Sequence, residues 1–428
     1  MPMGIAYLAA FVEREPGVQA EVFRSLDEAL AFVPDLVGIS SVTPSFPFAT
    51  TMARTIRAER DIPIILGGPH ITGLPSSLPE AFTAGVLGEG EATFREMVAT
   101  VARHGRLAEA VLARTSGVVY HDGASRRVTG ARPFIKPLDH IPFPKRHWPG
   151  LVPNTLWSFS SRGCPYRCRF CSTAEFWESY RVHSARYVID ELNHIIDAYD
   201  CGYHTFMDDL FAVNQKRLTE IVALARAELK RPLSLTVTIR ADLVTEQMCV
   251  LLREIGVGFV HLGLESASDR VLSYLKREST TAAVNQAALD VLAHHGIHAI
   301  GSFIIGAPNE DDDDITRTYD FIEGNIRDRK LMSFSFGPLV PFPGTAVWER
   351  AKEKGLVRDE GMDWAALDID IRYFEPARYL LLNEKMTRER FTYWFHRFNG
   401  LWEGTRATIG QRTAAYDRRA GEVLGDGL

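Results

Sequence analysis

From Gln19 to Thr100 the chain alternates short apolar runs with stretches whose apolar residues recur every three or four positions. The runs are Ala20–Phe23, Asp35–Ser40, Pro63–Leu66 and Gly85–Leu87, and the helical patterns are Leu26–Phe32, Phe46–Arg57 and Phe94–Val101. Short apolar runs read as strands and the longer period as amphipathic helices, so their alternation predicts a parallel, doubly wound sheet. Four strands are expected. A five-stranded flavodoxin-like or Rossmann-like domain needs one more, but the chain opens on a helical pattern, Ile5–Val12, so this domain is expected to lack its first strand.

Between about 112 and 150 the alternation stops and Gly and Pro increase. The turn His121-Asp122-Gly123 between two β-prone pieces predicts a hairpin, followed by a linker ending in Pro142-Phe143-Pro144. Beyond Asn154 alternation resumes with a longer period, predicting strands near Thr155–Ser160, Thr205–Met207, Ser234–Ile239, Phe259–Leu264, Ala299–Ile305 and Ser333–Val340. Helical patterns lie between them, for example Val188, Ile189, Leu192, Ile195 and Ile196, or Met248, Leu251, Leu252 and Ile255 stopped by Gly256. Six βα units make a partial (β/α)6 barrel of the TIM type, where chemistry collects at the C-terminal strand ends. The expected α/β organisation is a Rossmann-like domain over 1–111, hairpin and linker over 112–150, the barrel over 151–355, and a helical extension over 356–428. That extension is rich in aromatics (Trp364, Tyr373, Phe374, Tyr379, Phe391, Tyr393, Trp394, Phe395, Phe398, Trp402), which suits a cap on the barrel or a packed helix pair.

Composition narrows the class. The 428 residues are 46% apolar and 24% charged, ordinary for a globular chain and unlike a disordered or fibrous one. A net charge of −6 gives no basic excess for nucleic acid or an anionic membrane. The longest apolar stretches, Ala299–Ala307 and Gly4–Val12, are about half of the ~20 residues that cross a bilayer. The start shows no secretion signal, and five cysteines are too few for a disulfide scaffold. A cytoplasmic, reducing compartment is expected, which makes clustered cysteines candidates for metal.

Such a cluster follows the first barrel strand: Cys164, Cys168 and Cys171, a C-x3-C-x2-C spacing on a loop with Gly163 and Pro165. Three thiolates this close suit an iron–sulfur cluster with one iron left open. A zinc knuckle is the alternative, but zinc prefers four ligands in closed sites, and the next His or Cys candidates, His183 and Cys201, lie well beyond Cys171. Cys201 and Cys249 stand apart and read as buried thiols.

The three cysteines, with Phe170 directly before the last, resemble the radical S-adenosylmethionine (SAM) superfamily. That resemblance implies a [4Fe-4S] cluster on Cys164, Cys168 and Cys171, with SAM chelating its open iron. An electron from the reduced cluster would cleave a C–S bond of SAM, usually giving a 5′-deoxyadenosyl radical inside protecting barrel walls. It also implies an external electron donor of flavodoxin or ferredoxin type and a small-molecule substrate. Residue by residue, Asp208 and Asp209 end the second strand where the family binds the SAM ammonium; N-capping of the next helix is the plainer role. Arg240 matches a partner for the SAM carboxylate, with a salt bridge to Asp242 or Glu265 as the alternative. Glu265 and Ser266 resemble contacts to SAM's ribose or methionine part, and Gly306 the adenine contact, or simply a turn. Pro341–Thr345 resembles a turn of one large subgroup. The run Asp311–Asp314 fits a helix start and needs no metal.

In that same subgroup a cobalamin-binding domain precedes the barrel. Residues 3 to about 105 resemble it through Gly4–Ala10, Gly38–Val42, Gly67-Gly68-Pro69-His70 and Gly88-Glu89-Gly90-Glu91-Ala92-Thr93. If cobalamin binds, the implied reaction is methyl transfer to an unactivated carbon or phosphorus. Without it, rearrangement, ring formation, epimerisation or 3-amino-3-carboxypropyl transfer is implied. A D-x-H-x-x-G cobalt-ligand motif would fall before residue 1, and His70, after the third strand, is no substitute. A non-catalytic electron carrier or iron sensor is the reading from a different class, and it has no need of two acids, an arginine and glycine-lined strand ends around one barrel mouth.

Overall fold

The computed structural model describes residues 3–123, 125–146, 155–277, 280–370, 375 and 378–425. Two compact units emerge: Met1–Phe211 with Thr219–Leu233 and Val340–Asp368, and Ala212–Leu218 with Ser234–Leu339 and Ile369–Leu428.

The first unit opens on α1 (Met3–Val12), then α2 (Leu26–Ala31), capped by Ser25. There follow β1 (Val37–Ser40), α3 (Phe46–Glu59), β2 (Ile64–Gly67), α4 (Pro69–Gly73), β3 (Ala84–Val86), α5 (Glu91–His104) and α6 (Glu109–Leu112). The strands pair in parallel in the order β1-β2-β3, with Val37 opposite Ile64 and Ile65 opposite Ala84. The expected strand Ala20–Phe23 is not one. Its backbone is spent on side chains instead: the Ala20 N–H donates to Glu13 at 3.2 Å, and its carbonyl accepts from Lys145 Nζ at 2.6 Å. The hairpin β4 (Val118–Asp122) and β5 (Ser125–Val128) forms at the expected turn and extends this sheet, β4 running antiparallel to β3. Ile65, Ala84, Val86, Met97, Val101 and Val118 make the core between sheet and helices, each below a tenth exposed.

Also in this unit are β6 (Thr155–Ser158), β7 (Ser161–Arg162), α7 (Thr173–Trp177), β8 (Arg181–Val182), α8 (Ala185–Tyr199) and β9 (Tyr203–Phe206). The predicted apolar stripe of α8 is buried at Val188, Ile189, Leu192 and Ile195, with Ser184 as its cap, and Ile195 packs on Leu156 of β6. β6 and β9 pair in parallel. α9 (Gln215–Glu228) follows, capped by Asn214, whose side chain accepts from Lys216 N at 2.9 Å.

The second unit carries β10 (Ser234–Ile239), α10 (Glu246–Glu254), β11 (Val257–Glu265), α11 (Asp269–Lys276), α12 (Ala282–His294), β12 (His298–Ile305), α13 (Asp312–Arg327) and β13 (Leu331–Pro338). Its four strands pair in parallel in chain order. Asp311 caps α13 in a reciprocal capping box with Asp314, as an acidic helix start should. α14 (Ala346–Glu353) returns to the first unit after the Pro341–Thr345 turn. α15 (Arg388–Gly425) packs its buried Phe391, Trp394, Phe395 and Phe398 within the second unit, Phe336 of β13 meeting the last two rings. The aromatics Tyr373 and Phe374 lie outside the described residues. Each of the six predicted barrel strands is present and a helix comes after each, in the case of β6 after the short β7.

Candidate active site

The three cysteines sit on a loop closed by the shortest of ladders. β7 and β8 pair antiparallel, Ser161 opposite Val182 and Arg162 opposite Arg181, and residues 163–180 loop out between them. The loop leaves through Gly163 at φ +86°, where a Cβ would strike the Ser179 carbonyl and stand 2.9 Å from the Trp177 Cβ; only glycine fits. Cys164, Cys168, Cys171 and the neighbouring Phe170 are all half-buried. Burial pushes the Cys164 thiol up to about 11, the Tyr166 N–H opposing, while Cys171, Cys168 and Asp209 add to the rise. Cys171 is raised for the same first reason, against hydrogen bonds from Thr173. Three thiols on so short a loop become thiolates together only when a cation neutralises them, so the donor set fits an iron–sulfur cluster. Among the described residues no three His, Cys, Asp or Glu side chains are set to hold a single metal ion.

Asp208 and Asp209, adjacent at the end of β9, serve different partners. Asp208 is buried and turns to the end of β6, accepting from Ser160 N at 2.6 Å, Ser160 Oγ at 2.5 Å and Ser161 N at 3.1 Å. Asp209 turns to the cysteine loop and takes Gly163 N at 3.2 Å and Thr173 Oγ1 at 2.9 Å, one from each side of the cysteines. Asn214, not either aspartate, caps the helix that follows. The loop is also held at Arg169, whose carbonyl accepts the Val347 N–H of α14 at 3.3 Å.

A buried ionic network adjoins the same loop. Arg162 donates from Nη1 to Glu89 at 2.7 Å and from Nη2 to Glu91 at 2.6 Å. Arg181 reaches both oxygens of Glu89, at 3.0 and 3.1 Å, and the Ile135 N–H completes Glu89 at 2.7 Å. Trp177 lies under both guanidinium groups. All four charged residues are buried, and the two positive charges match the two negative.

A cavity of about 1200 Å3 opens beside this network within the first unit. Its wall includes the strand-end residues Ser40 and Gly67 and the Gly88–Glu91 turn, together with Arg162, Trp177 and Asp209. A Cβ at Gly67 or Gly88 would meet no atom within 4 Å and would project into open space, so both glycines leave room for a ligand larger than the ~300–1,000 Å3 sites of drug-sized molecules. That cradle fits a corrin. His70 is not aimed at it: the ring is fully buried between Thr43 Oγ1 and Ser77 Oγ, each at 3.2 Å, against Phe46 and Trp364, and burial lowers it to about 4.

In the second unit Arg240 pairs with Asp242, Nε to Oδ1 at 2.8 Å. Glu265 sits at φ +61° at the end of β11, buried beside Lys276 Nζ at 3.6 Å; burial raises its carboxyl, while Lys276 and then Arg240 oppose. Ser266 turns inward to Thr318 Oγ1 at 3.0 Å. Gly306, at φ +87°, lies under Phe391 and Tyr379; a Cβ would come within 2.9 Å of the phenylalanine ring. Its N–H donates to Glu310 Oε2 at 2.5 Å, whereas Glu310 Oε1, fully buried, has no hydrogen-bond partner among the described residues, and burial pushes this acid up to about 8.

The structure thus gathers Cys164, Cys168, Cys171, Phe170 and Asp209 on or against one loop, and turns Asp208, Ser266 and Gly306 to internal partners. Sequence reasoning missed Arg162, Arg181 and Glu310. The pairing of a Gly-Glu-Gly-Glu turn with an arginine two residues ahead of the first cysteine is the signal that was available for the first.

Comparison with known proteins accords with this arrangement. The Radical SAM superfamily profile matches residues 158–322 and the B12 binding domain profile residues 1–98. The chain belongs to the radical SAM superfamily, among members with a B12-binding domain ahead of the radical SAM domain, and is an enzyme of that class. One relative is the uncharacterized methyltransferase PH0819 of Pyrococcus horikoshii, 32% identical over 393 residues that cover 85% of this chain and 80% of the relative. The anaerobic magnesium-protoporphyrin IX monomethyl ester cyclase of Rubrivivax gelatinosus is 28% identical, covering 84% and 67%. Among solved structures, the radical SAM methyltransferase TsrM from Kitasatospora setae shares the fold at TM-score 0.67 and 20% identity, over 83% of this chain and 74% of that one. The cobalamin-dependent radical SAM enzyme OxsB does so at 0.65 and 19%, over 76% of this chain, which spans about half (49%) of OxsB. No described helix is long and apolar enough to cross a membrane.

Proposed function

We propose that this chain is a cobalamin-dependent radical SAM methyltransferase acting on a small molecule. The observation that carries the reading is the cavity whose wall runs from the glycine-lined strand ends to Arg162, Trp177 and Asp209 beside the cysteine loop. When bound, a reduced [4Fe-4S] cluster would supply the electron that cleaves SAM, and cobalamin the carrier for a methyl group. Cys164, Cys168 and Cys171 would hold the cluster with Phe170 against it, and Asp209 would keep their loop closed. Asp208 would fix the end of β6 through Ser160 and Ser161. On the family resemblance, Arg240 and Glu265 would contact SAM, with Ser266 and Gly306 shaping the backbone around them. The names of relatives favour methyl transfer, since they include methyltransferases for bacteriochlorophyllide d and cytidylyl-2-hydroxyethylphosphonate. A flavodoxin- or ferredoxin-type donor would deliver the electron, in the cytoplasm.

The test is anaerobic reconstitution with iron, sulfide and hydroxocobalamin, followed by desalting. Retained corrin absorbance, and formation of 5′-deoxyadenosine and S-adenosylhomocysteine with SAM and reductant, are expected. Loss of all corrin on desalting overturns the cobalamin reading. In that case SAM cleavage alone leaves the cobalamin-independent chemistry, and an intact cluster that forms no SAM product overturns the methyl-transfer reading.

A further inference from the structure

The neck of the cysteine loop is a structural problem that the loop does not solve by itself. Two residues pairing with two make a ladder too short to persist alone. One of its two pairs sets Arg162 directly opposite Arg181, and like charges facing each other across an antiparallel ladder push the strands apart. Both guanidinium groups are buried, so water does not screen them. Glu89 resolves this: its Oε1 accepts from both arginines, at 2.7 and 3.0 Å, and its Oε2 accepts from Arg181 and the Ile135 N–H. Glu91 neutralises the remaining charge on Arg162. Neither acid belongs to the loop or to a barrel strand. Both come from the turn that follows β3 and starts α5, part of the segment that the B12 binding domain profile matches. A buried ionic group adds little net stability over an apolar replacement, so a four-charge network is better understood as fixing one register than as strengthening the unit.

We infer that Glu89 is a positioning residue for the iron–sulfur site: the N-terminal sheet, through Glu89, clamps the Arg162–Arg181 neck and so holds the Cys164–Cys171 loop in its cluster-binding shape. Glu89 exerts this role through the two arginines that it holds. The role does not require cobalamin to bind, and it rests on the proposed function only for what the loop carries.

Hydrogen exchange of the full chain, measured before and after iron reconstitution, tests it, with Glu89→Gln, Glu91→Gln and the double variant Glu89→Gln/Arg181→Met. In Glu89→Gln, exchange over residues 163–172 should accelerate about tenfold or more while helix 185–199 keeps its protection, and reconstituted iron per chain should fall. Removing one of the facing cations in the double variant should return loop exchange and iron content toward the parent. Loop exchange equal to the parent in Glu89→Gln, acceleration spread evenly over the first unit, or a double variant no better than the single one would each overturn the inference. Should Glu89→Gln fail to fold, Glu91→Gln decides: a smaller acceleration confined to the loop supports the clamp, and none overturns it. Exchange in the iron-free chain is read without SAM or cobalamin, so its outcome is separable from that of the turnover experiment.

Discussion

Asp209 accepts the backbone N–H of Gly163 at 3.2 Å, one residue ahead of the first cysteine, while its other oxygen takes the Thr173 hydroxyl beyond the last. One carboxylate thus spans the loop. Asp209→Ala should leave the buried Gly163 N–H without its acceptor and cut iron retained after reconstitution severalfold, with a loss of about 1–3 kcal/mol in unfolding free energy. Asp209→Asn keeps an acceptor in place and should retain most of the iron. Iron and sulfide assays with denaturant melts check both.

Gly163→Ala should be worse than an ordinary loop substitution. The left-handed backbone costs about 1–2 kcal/mol for a residue with a Cβ, and the collision with Ser179 and Trp177 must displace backbone as well. We expect a lower melting temperature and a cluster that bleaches faster in air, read by circular dichroism and visible absorbance. A melting curve and bleaching rate equal to the parent's would show the neck to be loose.

Glu310 makes stability fall as pH rises from the acid range through neutrality. Its folded value of about 8 lies above the ordinary 4.5, so between those values the folded chain keeps a proton that the unfolded chain has released. Its stabilising contribution is complete below about pH 4.5 and is lost progressively as pH rises to 8, by up to ~1.4 kcal/mol per pH unit. Glu310→Gln should flatten that slope in urea melts at pH 6, 7 and 8.

His70 acts in the opposite direction. Burial lowers it to about 4 from 6.5, so the unfolded chain takes up a proton first as the medium is acidified. Stability should fall from pH 6.5 down to 4, and His70→Gln, which cannot charge, should lose that dependence while costing some packing against Phe46 and Trp364. Urea midpoints across pH 4.5–6.5 measure it.

The six barrel strands were legible because each is a short apolar run punctuated by a cap or a glycine, signals that lie within a few residues of one another. Gly256, for example, takes φ +90° where the α10 pattern stops. What escaped the sequence is non-local. Ala20–Phe23 has a strand's composition, but its carbonyl partner Lys145 lies 125 residues away. Arg162 looks like one more loop arginine until its acids, 71 and 73 residues upstream, are brought to it. Asp208 and Asp209 read as equivalent acceptors, yet successive residues leaving a strand face opposite ways, and only the fold says which faces the cysteines. Gly306 was legible as a bare position, but not that Phe391 and Tyr379 of the C-terminal segment would cover it.

The hairpin beyond α6 carries a practical corollary for anyone dissecting this enzyme. Because β4 lies along β3, an N-terminal piece excised at residue 111 would present the naked hydrogen-bonding rim of β3 to its neighbours and would be prone to self-association. A piece carried on through Val128 keeps that rim sealed.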